Sequence, residues 1–117
     1  MDFFSEIYAE LEQADAAHAA GNEGRARVCA RRAAGLAARI FLTRHDVRLI
    51  DATRDKARLS SAYEALQTLA QFPGLAPNLK QAALHLTMRV NAEFHLPAGI
   101  NLIDEAHLLI GGLNEGN

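Results

Sequence analysis

The chain holds one cysteine, Cys29, in 117 residues, and this excludes an internal disulfide as a source of stability. It has no excess of base either: twelve Lys and Arg stand against fourteen Asp and Glu, and the net charge is −2 with a pI of about 6.2. No global positive field draws it to nucleic acid or to an anionic membrane, so any polyanion site must be local. Long apolar runs are missing as well. The most hydrophobic stretch, residues 33–42, is broken by Arg39 and falls far short of the roughly 20 residues that cross a bilayer. The opening MDFFSEIYAE lacks the basic and apolar blocks of a secretory signal, which points to a cytoplasmic protein with no membrane partner. Strand-like alternation is absent over any useful length. So are the phosphate-cradling glycine motifs, paired-cysteine motifs and the His-Glu-x-x-His metal motif. No histidine pair has a helical metal-ligand spacing, so neither a metal nor another cofactor is expected.

What is present is an ordinary globular composition, half hydrophobic and 22% charged, in a length that suits one domain around one core. Apolar residues recur at helical spacing throughout. Phe4, Ile7, Leu11, Ala14 and His18 make the stripe of a first helix over residues 2–20, with Asp2 as its cap and Gly21-Asn22 as its stop. The short turn that follows makes the next helix its antiparallel neighbour.

That second helix, over residues 23–44, is the spine of the reading. Ala26, Cys29, Ala30, Ala33, Leu36, Ala37, Ile40 and Phe41 fall on one face, and so many alanines imply close packing. Arg25, Arg32 and Arg39 line one border of that face; Arg27 and Arg31 line the other. The first helix carries five acids and no base, so pairing between the two helices is the direct reading of these arginines. A phosphate-binding strip at Arg32 and Arg39 is the sharper one. Val28, Gly35 and Leu42 lie on the back and mark a second buried face, against another helix or a second copy of the chain.

Residues 45–58 read as a connector. Ser61 and Glu64 form a capping box for a third helix with Leu59, Tyr63, Leu66, Leu69 and Ala70 on one face, ending at Phe72-Pro73-Gly74. Pro77 opens a fourth helix with Leu79, Ala82, Ala83, Leu86 and Val90 inward, flanked by a polar ridge of His85, Arg89 and Glu93. A loop over residues 91–100 leads to Asn101, which caps a last helix with Leu102, Ile103, Ala106, Leu109, Ile110 and Leu113 inward, and Gly111 and Gly112 are expected to end it. The expected architecture is all-α, a small up-down bundle of four to five helices. His18 reads as a core-edge histidine bonded to a carbonyl or carboxylate, and Cys29 as a small buried hydrophobe.

The opening hairpin, with its Gly21 to Gly24 turn and the helix ARVCARRAAGLAARIFL, resembles that of HEPN-like domains, small helical bundles of prokaryotes. HEPN ribonucleases carry an arginine followed after a short spacer by a histidine, and Arg89-Val-Asn-Ala-Glu-Phe-His95 has that form. The resemblance implies metal-independent RNA cleavage at a dimer interface, with His95 as general acid or base, Arg89 stabilising transition-state charge, and Arg32 and Arg39 holding flanking phosphates. The competing and preferred reading is a non-catalytic interaction module, homodimeric or bound to a partner protein, which needs only the apolar back faces and the small-residue seams. Small-ligand binding within the bundle is a third.

Overall fold

Gly21, at φ +81°, takes the left-handed conformation that a β-carbon disfavours, and there the chain turns from its first helix into its second. The computed structural model describes residues 3–45, 61–88 and 101–115. Expectations placed on Asp2, residues 46–60 and residues 89–100 lie outside these. Five helices are present among the described residues: α1 (Phe3–Ala19), α2 (Glu23–His45), α3 (Ala62–Ala70), α4 (Pro77–Leu86) and α5 (Leu102–Glu115). The protein is an all-helical bundle, and no described helix is long and apolar enough to cross a membrane.

Each start is written in local chemistry. The Asn22 side-chain oxygen accepts the Arg25 backbone N–H at 3.2 Å, capping α2. Ser61 sits in extended backbone and its hydroxyl accepts the Glu64 N–H at 3.4 Å. Pro77 supplies the first turn of α4, where its missing donor costs nothing. Asn101 accepts from the N–H groups of both Ile103, at 2.9 Å, and Asp104, at 3.2 Å. Gly74, at φ +89°, reverses the chain between α3 and α4.

α2 is the centre of the bundle and packs on all four other helices. Ala26, Ala30, Ala33, Ala34, Ala37 and Ala38 are all fully buried, so small side chains surround much of its circumference and neighbours approach closely. Two contacts with α1, Glu10 to Arg32 and His18 to Glu23, converge on the Gly21 turn as an antiparallel pair requires. α4 and α5 are antiparallel by the same criterion, with His85 facing Glu105 and Leu79 facing Gly112. The back of α2 divides: Gly35 and Leu42 are buried, Gly35 directly beneath Ala62 of α3, while Val28 is exposed.

Three expectations change. Gly111 and Gly112 do not end α5, which runs on to Glu115, because Leu113 continues the buried stripe and Gly112 lets α5 close on Leu79. Their weak helix propensity, about 1 kcal/mol each, is outweighed by that burial. Tyr63 faces outward although its spacing joins it to the α3 stripe, since its hydroxyl bonds the Gln67 amide at 3.0 Å on the solvent side. His18 is exposed as well, with Ala17 taking the buried position; it does reach a carboxylate, that of Glu23, at 2.7 Å.

Candidate functional site

Between α2 and α3 the outward face of the spine opens into a cleft of about 450 Å³. Its floor is apolar. Leu66 and Leu86 are buried at its base, Leu36 is half-buried, and Gly35 and Ala62 meet where the two helices cross. Val28, 52% exposed, and Tyr63, 44% exposed, stand at its sides. Large apolar side chains that remain this exposed and share one depression mark a surface suited to an apolar partner.

Three guanidinium-bearing residues, Arg31, Arg32 and Arg39, line the same cleft, and none of its described lining residues is acidic. Arg32 and Arg39 are thus brought to one site, as their seven-residue spacing suggests. Arg31 joins them from the opposite border of the helix because the cleft spans the whole outward face between the two borders.

The arginines are held differently. Arg32 reaches across α2 to α1, where its guanidinium meets the Glu10 carboxylate at 2.9 Å; this is the inter-helix pairing expected from the charge pattern. Arg31 turns the other way. Its Nε donates to the Leu86 carbonyl at 2.9 Å and its terminal nitrogen to the Met88 carbonyl, so it closes the C-terminal end of α4. Leu86 is the last residue of α4, where helix carbonyls lack an intrahelical donor, and a cation at this end also suits the helix dipole. Arg39 lines the far end of the cleft, and its backbone carbonyl accepts the Thr43 hydroxyl.

Histidines occur in carboxylate pairs elsewhere. His85 Nδ1 lies 2.7 Å from Glu105 and His85 Nε2 lies 2.9 Å from the Gln81 amide nitrogen, joining α4 to α5 at a half-buried position. With the amide donating to Nε2, a neutral imidazole carries its proton on Nδ1 and donates it to Glu105. The exposed His107 spans from α5 to Asp15 of α1 at 3.2 Å. No cluster of three or more His, Cys, Asp or Glu able to hold a metal occurs among the described residues, and Cys29 is buried. The catalytic candidates Arg89 and His95, with Glu93 of the expected ridge, lie outside the described residues.

Sequence reasoning reached Arg32, Arg39 and Val28 but missed Tyr63 and the capping role of Arg31. Tyrosine's amphipathic ring was a signal for the first; for the second none existed, since its acceptors are backbone carbonyls 55 and 57 residues away. No family model matches this chain, and neither a curated protein nor a solved structure matches it.

Proposed function

We propose that the protein is a non-catalytic helical interaction module, HEPN-like in its opening hairpin, which works as a homodimer or on a partner protein and uses the α2–α3 cleft as its contact surface. One observation carries the reading: Val28 and Tyr63, two of the most exposed large apolar side chains, flank the same cleft over a floor of leucines. Burying such side chains against a partner contributes roughly 25 cal/mol per Å² of apolar surface removed from water, and central contacts of this kind dominate interface energetics.

Site-specific photocrosslinking tests the assignment. A benzophenone side chain at position 28 should give discrete adducts, at twice the 12.7 kDa chain mass for a homodimer or at another fixed mass for a partner. The same group at the exposed Gln13 of α1 should not. Equal adduct patterns from both positions would remove the cleft as the contact surface. Light scattering at tens of micromolar decides between the two forms, since a monomeric mass excludes the homodimer.

A further inference from the structure

We infer that the α2–α3 cleft is a receptor site for an uncharged, largely apolar small molecule that carries a hydrogen-bond acceptor. The site goes beyond the interaction-module reading and does not depend on it. Its volume of about 450 Å³ falls within the roughly 300–1,000 Å³ of small-molecule sites, which are likewise concave and mainly apolar. Leu66 and Leu86 close the base, and Leu36, Val28 and Tyr63 give it apolar sides.

The state of the polar groups decides the class of ligand. The arginines that line the cleft are already engaged. Arg31 holds the Leu86 and Met88 carbonyls, Arg32 meets Glu10, whose side chain is only 17% exposed, and Arg39 is not free either. An anion would have to break these contacts, whereas an uncharged molecule leaves them in place. No buried side-chain nitrogen or oxygen among the described residues lacks a partner, so the cleft makes no demand for a strongly polar ligand. Ser61, half-buried in the lining, supplies the one directional group. Its oxygen accepts the Glu64 N–H at 3.4 Å, and its own proton, with no acceptor in the protein, is free to donate. A carbonyl or ether oxygen on the ligand is the complement, with apolar rings lying over Leu36 and Leu66 and beside Tyr63.

The test uses the full chain and two naphthalene dyes: prodan, an uncharged ketone, and 1-anilinonaphthalene-8-sulfonate, an anion. Fluorescence titration should show saturable, blue-shifted binding of prodan, tighter than that of the sulfonate. Val28→Asp and Tyr63→Ser, both at exposed positions, should each weaken prodan at least about fivefold. Ser61→Asp keeps a helix cap but loses the hydroxyl donor and should weaken it about fivefold, while Ser61→Thr keeps both and should bind as the wild type does. Circular dichroism confirms that each variant remains helical, and a loosened variant would gain dye binding by exposing its core, not lose it. No saturable prodan binding, equal or tighter binding of the sulfonate, or affinity unchanged in these variants overturns the inference. If prodan fails while crosslinking at position 28 still yields discrete adducts, the ligand site falls and the module reading stands. Prodan binding without discrete adducts leaves the ligand site and removes the module reading.

Discussion

Gly35 of α2 lies so close to Ala62 of α3 that a β-carbon at Gly35 would stand 2.7 Å from the Ala62 Cα. The obstacle is backbone, at the first residue of a helix, and cannot rotate away as a flexible side chain would. Alanine at position 35 would improve helix propensity by about 1 kcal/mol, but overpacking of this kind costs about 1–3 kcal/mol and forces the helices apart. Gly35→Ala is therefore expected to destabilise the fold by up to about 2 kcal/mol in urea unfolding. It should also widen the cleft floor, and an equally stable variant would contradict the crossing geometry.

The two glycines within α5 separate propensity from packing. A β-carbon at Gly111 meets nothing within 4 Å, so Gly111→Ala should stabilise the protein by about 0.5–1 kcal/mol. At Gly112 it would come within 2.5 Å of a Leu79 methyl and 3.2 Å of Leu79 Cγ. The Leu79 side chain can shift in part, so Gly112→Ala should fall between Gly111→Ala and Gly35→Ala. Thermal unfolding of the three single variants checks that order.

The order of these glycines shows what could be read before the structure and what could not. Caps at Asn22, Ser61 and Asn101, the first-turn Pro77 and the turn at Gly74 act on residues two to four positions away, and sequence exposes such signals directly. The buried residues of α5 were likewise legible as a stripe. Gly35, Gly112 and Arg31 answer to Ala62, Leu79 and the end of α4, contacts made only when the helices assemble. The cleft has the same origin. Arg32 and Arg39 could be placed on one border of α2, but the α3 wall that turns an exposed face into a depression depends on the Gly35 crossing.

Arg31 is expected to contribute more stability than its partly exposed neighbours on α2. Its replacement by leucine leaves the Leu86 and Met88 carbonyls without their donors at a half-buried helix end, a loss of about 1–3 kcal/mol. Arg31→Lys keeps the charge but not the two-pronged donor and should recover only part of it. Hydrogen exchange gives the specific readout: amides in the last turn of α4 should lose more protection than those of α1. A uniform loss would show that Arg31 acts only through packing.

The His85 to Glu105 pair should couple more strongly than the His18 to Glu23 pair, although both measure 2.7 Å. The first has side chains 19% and 18% exposed, whereas those of the second are 52% and 50% exposed, so water competes far less at the α4–α5 contact. Double-mutant cycles through His85→Ala and Glu105→Gln are expected to give about 1 kcal/mol of coupling. The corresponding cycle at His18 and Glu23 should sit near the lower end of the roughly 0.2–1 kcal/mol typical of exposed pairs. Equal couplings would mean that burial does not set the strength of these contacts.

Arg89 follows Met88 in the sequence and opens the Arg89 to His95 spacing that resembles the HEPN ribonuclease form. The interaction-module reading gives that form no catalytic role. Wild type and His95→Ala should then leave a single-stranded RNA equally intact in EDTA, where any metal-dependent contaminant is silent. The ribonuclease reading makes the opposite demand: cleavage by wild type that drops about 100-fold or more when the general acid or base is removed. Arg89→Ala sharpens the comparison, because loss of transition-state charge stabilisation lowers the cleavage rate without requiring weaker RNA binding. Cleavage lost in both variants, with their helical content unchanged, would replace the module reading with an enzyme.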